Sequence, residues 1–393
     1  MNDTPHQAPG YYDADACALA DFAQLAGQKL DPKLVPQATD IQKNIPLYDM
    51  AEKGSMLNEK STRRSLMTEW AQVLGKGAGV FVLRSAVQDL TAIDAATTVF
   101  DRIIADEKAR HGGGADHFAA AGSNDRIWNS LQKLCEADPE VFVRYHGSPA
   151  VDAACEAWLG PNYQMTAQVN LVHPGGKPQQ AHRDYHLGFQ TADISASYPA
   201  HVHDLSPLMT LQGGIAHCDV PLNSGPTKLL PFSQLYKPGY VAWRRQDFRN
   251  YFEEHCVQLP LAKGDAVFFN PALFHAAGAN SSSDIHRMVN LLQISSAFGR
   301  AMETIDRTAM SLRVLEPMIR LSAQGDLSVA ELDAAIAATA EGYSFPTNLD
   351  RDPPVGGLAP KTQAALLKEA VDAQTSTEGF NAQLRDWNKR RQA

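Results

Sequence analysis

The chain has 393 residues, about two or three domains' worth of material, and its 44% hydrophobic and 20% charged residues exclude a largely disordered chain. Its 44 acidic and 35 basic residues give a net charge of −9, without the basic excess of a nucleic-acid binder. No run approaches the ~18 apolar residues of a membrane span, and residues 1–10 lack the basic-then-apolar order of a secretory signal.

The five cysteines (Cys17, Cys135, Cys155, Cys218, Cys256) are scattered and form no Cys-x-x-Cys pair, so buried thiols are expected rather than disulfides or a thiolate zinc site. The chain reads as a cytoplasmic protein that acts on a small molecule, with neither nucleic acid nor membrane as partner. Its oligomeric state is not written in the sequence.

In chain order, apolar positions recur at helical spacing over 13–30 and 62–74, with an irregular, Pro-containing stretch at 31–58. Residues 79–83 predict a short buried strand and 90–109 a helix, and two further helices are predicted between 126 and 159. From Gln164 short β-rich runs alternate with Gly, Pro, Asn and Asp, predicting strands at 165–172, 180–189, 208–219, 227–231, 257–261, 266–269, 273–277 and 286–297. Helical spacing returns at 301–321, 329–338 and 362–373, with a loop at 345–360 and a polar tail. The fold class is therefore a mostly β core with flanking helices (α+β).

The chemistry concentrates in Gln180-Ala181-His182-Arg183-Asp184-Tyr185-His186. On a strand His182 and Asp184 point the same way, about 6.6 Å apart, while Arg183 and Tyr185 face away. His275 follows 91 residues after Asp184. Two imidazoles and one carboxylate form the facial triad of non-haem Fe(II) oxygenases, with open positions for a cosubstrate and O₂. In a chain with 13 histidines the triplet alone reads as well as a surface ion pair, so the residues after it decide. Arg287, 12 residues after His275, taken alone reads as an ordinary surface arginine at a strand start, but it alternates with Val289, Leu291 and Gln293, so it can face inward. A guanidinium there suits the distal carboxylate of 2-oxoglutarate.

Taken together, residues 79–298 resemble the phytanoyl-CoA dioxygenase family. The matching pieces are Gly79-Val80-Phe81-Val82-Leu83, His182-Arg183-Asp184, Asp219 through Asn223-Ser224-Gly225-Pro226-Thr227 to Pro231-Phe232-Ser233-Gln234, Gly264-Asp265-Ala266-Val267-Phe268-Phe269, His275 and Arg287. The family commonly has Pro-Gly-Ser-His where this chain has Pro231-Phe232-Ser233-Gln234.

The resemblance implies a double-stranded β-helix (jelly-roll) barrel over 76–300, between a helical N-terminal extension (1–75) and a helical C-terminal extension (301–393). It also implies an Fe(II)- and 2-oxoglutarate-dependent dioxygenase that uses O₂ to hydroxylate a small organic substrate, with succinate and CO₂ as co-products. Iron falls to His182, Asp184 and His275, and 2-oxoglutarate to Arg287. Related halogenases carry a small residue in place of the carboxylate ligand, so Asp184 favours hydroxylation. A non-oxidative metal- or metabolite-binding barrel of the same fold is the alternative.

Gln168 and Asn170 share one face of the strand before the metal motif, and Thr227 can point inward; Gln168 and Thr227 are further cosubstrate candidates. His173 is an anion contact or a loop residue, and His186 a supporting or substrate-facing one. His111-Gly112-Gly113-Gly114 lacks the Gly-x-Ser-x-Gly partner of an esterase. Gly75-Lys76-Gly77-Ala78-Gly79 lies between a helix and a strand, the reverse of a dinucleotide loop. His201-Val202-His203 is expected in an exposed loop. The absence of a concentrated Lys/Arg cluster argues against fatty acyl-CoA as substrate.

Overall fold

A computed structural model describes residues 10–111, 123–344 and 347–392; Gly112 to Gly114 and part of the 345–360 loop lie outside them. Ten strands form among these residues: β1 (Asp40–Gln42), β2 (Ile45–Asp49), β3 (Val80–Arg84), β4 (Asn124–Ile127), β5 (Gln164–Val172), β6 (Thr210–Ala216), β7 (Lys228–Leu229), β8 (Ala266–Phe269), β9 (His275–Ala276) and β10 (Arg287–Ser295). Eight make one sheet in the order β1-β2-β3-β8-β6-β10-β5-β4, antiparallel except at β2–β3, while β7 and β9 make a separate two-stranded ladder. Many helices surround them, so the architecture is mixed α/β.

Side-chain alternation sorts the large sheet into two faces. Met288, Leu292 and Ile294 of β10, Ala167, Val169 and Leu171 of β5, and Leu211 and Ile215 of β6 are buried in the main core. Asn290, on the same face, accepts from Ser130 Oγ (3.2 Å) and donates to Tyr145 OH (3.0 Å), both on helices. The opposite face carries Arg287, Val289, Leu291 and Gln293 of β10, Gln168 and Asn170 of β5, Gln212 of β6, and Arg126 of β4. Val289 and Leu291 are only half-buried although β10 is central. This second face is polar and partly open.

Several elements differ from the sequence reading for local reasons. The irregular stretch 31–58 contains the β1–β2 hairpin, turned by Lys43 and Asn44 at φ 51° and 68°, the two-residue geometry that matches strand twist. Three helices, not two, follow Ile127, because Asp138-Pro139 and Ser148-Pro149 restart the chain: each Asp or Ser side chain accepts the N–H three residues on, and each Pro takes the first helical position. The predicted strands at 180–189 and 257–261 reduce to isolated bridges. The polar tail is a helix, Thr377–Arg391, that buries Phe380, Leu384 and Trp387.

His201 and His203 lie on the helix Ala200–Leu208, not in a loop; His201 is exposed but His203 is buried and bonds the Ser195 carbonyl at 3.0 Å. The five cysteines are free thiols. Among the described residues no helix is long and apolar enough to cross a membrane.

Helices on either side of the sheet region in sequence pack against the core. Phe22, on the helix Leu19–Ala26, meets the rings of Tyr236, Phe248, Tyr251 and Phe274 at 4.8–5.5 Å. Arg307 donates from Nη1 to the Ala338 and Thr339 carbonyls and from Nη2 to the Met165 carbonyl of β5 (2.9–3.2 Å), tying the C-terminal helices to the sheet.

Two histidines in the core make stability pH-dependent. His217 joins Tyr145 OH (2.7 Å) and Thr97 Oγ1 (2.8 Å), and the His146 ring meets that of Tyr145 edge-on. Burial lowers both pKa values to about 3. The unfolded chain binds these protons near pH 6.5 and the native state does not, so their contribution is complete above about pH 6.5 and is lost as pH falls toward 3. Each histidine is expected to cost roughly 2 kcal/mol of stability between pH 7.5 and 5.0. Denaturant midpoints at the two pH values, compared with His217→Asn, measure it; an unchanged slope in the variant would contradict the assignment.

Candidate metal centre

His182 and His275 oppose one another across an antiparallel bridge: His182 N–H donates to the His275 carbonyl (3.0 Å) and His275 N–H to the His182 carbonyl (3.2 Å). Directly paired residues project to the same side. Asp184, two residues beyond His182, joins them there, and its own N–H donates to the Pro271 carbonyl at 3.2 Å. His182 Nε2 lies 3.7 Å from Asp184 Oδ1, and His275 Nε2 lies 3.3 Å from Oδ2. One ligand atom from each of the three falls within 4.8 Å of the others.

Hydrogen bonds orient the trio. His182 Nδ1 meets the Gln180 carbonyl (2.8 Å) and His275 Nδ1 the Leu273 carbonyl (2.9 Å). A carbonyl can only accept, so each Nδ1 carries the proton and each Nε2 lone pair points at the carboxylate. Burial lowers the pKa of His182, favouring the neutral, ligating imidazole. Burial works to raise that of Asp184, but the two imidazoles, when protonated, and the Gln212 amide outweigh it and hold the carboxyl below its ordinary range.

The trio fits a divalent metal. Ligands about 2.0–2.2 Å from an ion and at right angles sit about 3 Å apart, close to the two observed separations. Two imidazoles and a carboxylate are the donor set of non-haem iron. The side chains of His182 and Asp184 remain 21% and 17% exposed, leaving one side of the trio open.

Arg183 anchors the motif from behind. Its guanidinium lies against Tyr240 (5.1 Å) and Phe274 (5.2 Å), and Nη2 donates to the Ser233 and Tyr236 carbonyls at 2.8 Å. A Cβ at Gly239 would come within 2.0 Å of the guanidinium carbon, so only glycine lets the chain pass there. Beyond Asp184 the alternation ends. Tyr185 and His186 take φ 60° and 28° and start a 3-10 turn, His186–Phe189. His186 therefore does not continue the face of His182 and Asp184; its Nδ1 pairs with Ser206 Oγ at 3.0 Å.

Arg287 is buried at the start of β10, on the polar face of the large sheet. Its Nη1 donates to the carbonyls of Ser224 (2.7 Å) and Gly278 (3.2 Å). Burial lowers its pKa to about 10, so it stays charged at neutral pH. No carboxylate among the described residues lies within ion-pair distance of this buried charge.

Gln168 shares that face but is engaged: its Oε1 accepts from Arg126 Nη1 at 3.2 Å, and its amide also bonds Glu303. Asn170 Oδ1 is buried without a partner among the described residues. Thr227 is half-buried just before β7 and follows the Ser224 carbonyl that Arg287 holds. His173 pairs with His286 (2.8 Å) and Asp125 (2.7 Å).

The sequence reading missed three residues around the trio. Gln212, from β6, donates Nε2 to Asp184 Oδ2; strand alternation gives its face of β6 but not the register that sets it opposite Gln293. The Trp243 ring stands 6.5 Å from that of His182, and Arg244 stacks on Trp243 at 3.9 Å. The tripeptide Trp243-Arg244-Arg245 was the sequence signal for the last two.

Residues 76–289, more than half of the chain, match the sequence profile of the phytanoyl-CoA dioxygenase family. Over 146 residues the chain is 25% identical to the dioxygenase andF of Emericella variicolor; the match covers 35% of this chain and 45% of that protein, so less than half of the relative's length is spanned. Among solved structures, the non-haem α-ketoglutarate-dependent epimerase SnoN of nogalamycin biosynthesis is similar over 61% of this chain and 84% of its own, at 17% identity and a TM-score of 0.39. AviO1 of Streptomyces viridochromogenes Tue57 is similar over 54% of this chain and 87% of its own, at 16% identity and a TM-score of 0.37.

Proposed function

The chain belongs to the phytanoyl-CoA dioxygenase family, and from that premise we propose that it hydroxylates a C–H bond of a small organic substrate, consuming 2-oxoglutarate and O₂ and releasing succinate and CO₂. The family depends on Fe(II) and 2-oxoglutarate, and the His182–Asp184–His275 set is compatible with iron. The observation that carries the reading is that trio, oriented by its own hydrogen bonds, together with a buried Arg287 that has no counter-ion among the described residues.

In this reading His182, Asp184 and His275 hold the iron and Arg287 holds the far carboxylate of 2-oxoglutarate. Gln168 and Thr227 border the same cosubstrate space. Residues 76–300 form the dioxygenase domain, strands β3–β6, β8 and β10 of the large sheet and the β7–β9 ladder being the two walls of a double-stranded β-helix. The extensions are 1–75, which is not purely helical because it adds β1 and β2 to the edge of that sheet, and 301–393. Bound iron and cosubstrate supply the oxidising power. The chain supplies placement: neutral imidazoles fixed at Nδ1, a carboxylate held ionised, and a guanidinium fork aimed by two backbone carbonyls.

The test is an anaerobic Fe(II) titration in the presence of 2-oxoglutarate, in which a weak visible charge-transfer band is expected, followed by succinate measurement in air. Metal binding with neither band nor succinate would favour the non-oxidative alternative. Gln212→Leu removes the amide donor to Asp184 and is expected to weaken Fe(II) binding about 10- to 100-fold without changing the stoichiometry of one ion per chain. Equal affinities in the two proteins would remove Gln212 from the site.

A further inference from the structure

Trp243, Arg244 and Arg245 link the helices Gly239–Ala242 and Gln246–His255. Arg245 is fully occupied: it pairs with Asp247 at 2.6 Å and donates to the Ala14 and Cys17 carbonyls at 2.8 Å. Its neighbours are not. The guanidinium groups of Arg244 and Arg249 both lie on the Trp243 ring, at 3.9 and 5.5 Å from its centroid. Arg244 Nη2 donates to the Gly188 carbonyl (3.1 Å), in the turn that follows the metal motif, and Arg249 Nε to the Trp243 carbonyl (3.3 Å). Neither has a carboxylate within ion-pair distance among the described residues.

Two further donors, Arg244 Nη1 and Trp243 Nε1, are buried with no acceptor among the described residues. Buried donors without partners and like charges on one indole are each costly. Burial and the Arg249 charge both press the Arg244 pKa downward. An anionic oxygen group would relieve all of these at once, since it accepts from several N–H donors and neutralises the paired charge. The Trp243 ring borders His182, so such a group would sit one indole away from the metal ligands.

We propose that Trp243, Arg244 and Arg249 form an oxyanion subsite for the substrate, which therefore carries a carboxylate or phosphate group. This rests on the oxygenase reading of the neighbouring trio. Arg287 lies on the large sheet, a separate element from the 243–249 segment, so one guanidinium serves the cosubstrate and the other pair serves the substrate.

The experiment uses the full chain loaded anaerobically with Fe(II) and 2-oxoglutarate and follows its thermal unfolding. The probes are a panel of carboxylic acids, each paired with its methyl ester, and of phosphate monoesters, each paired with its parent alcohol. At least one anion is expected to raise Tm, with its neutral partner at least about tenfold weaker. Arg244→Met and, separately, Arg249→Met are expected to weaken that anion about 30-fold or more while leaving the visible band unchanged. The two arms identify carboxylate or phosphate. Neutral partners that bind as well as the anions, no stabilisation by any anion, or variants that keep full affinity would each overturn the subsite. A missing band in the wild type would instead overturn the oxygenase reading, and an anion preference lost in Arg244→Met would still establish the subsite.

Discussion

Asp184→Ala is expected to abolish succinate formation and to weaken Fe(II) binding by well over the roughly 100-fold that loss of a supporting contact costs. The carboxylate is the only anionic ligand of the trio and faces both imidazoles, at 3.7 and 3.3 Å. Without it, two neutral nitrogens would have to hold a dication. The fold should survive, because Asp184 is tied to the core through its backbone N–H to the Pro271 carbonyl and through Arg183 beside it. Circular dichroism and Tm of the metal-free variant should therefore match the parent. Anaerobic metal titration measures the loss, and a variant that binds Fe(II) within tenfold of the parent would remove Asp184 from the coordination set.

Arg287→Leu is the second large effect, and it separates cosubstrate from metal. Removing one partner of a buried ion pair costs about 3–5 kcal/mol, which corresponds to a rise in the KM for 2-oxoglutarate of about 100-fold or more. Fe(II) affinity should stay within a few-fold, because Arg287 touches the Ser224 and Gly278 carbonyls and none of the three ligands. Arg287→Lys keeps the charge but not the two-pronged fork, and its KM should fall between the two. An unchanged KM in Arg287→Leu would assign the cosubstrate carboxylate to another group.

Which parts of this were legible beforehand follows from the range of the forces involved. Residues 60–75, 90–111 and 329–339 are helical where their apolar spacing predicts, because that spacing is local. The strand 266–269 and the alternation of Arg287 with Gln293 are equally local signals. The β1–β2 hairpin was hidden because Lys43 gives no hint that it will adopt a positive φ. The turn at Tyr185 and His186 defeated a simple alternation in the same way: both residues hold conformations that their side chains disfavour, and only the surrounding packing imposes them.

By itself, the sequence determined the composition of the candidate metal centre. His182 and Asp184 stand two apart on an extended segment, His275 precedes the closing strand, and the inward alternation of Arg287 needs only the pleat of that strand. Tertiary structure alone decided the meeting of these pieces: the reciprocal backbone bonds between His182 and His275, the Gln212 amide on Asp184, and the two guanidinium groups on Trp243. The reason is physical. Side-chain direction along a strand is fixed by neighbouring dihedrals, whereas contacts between segments tens of residues apart depend on the register and closure of the whole sheet, which no single stretch of chain encodes.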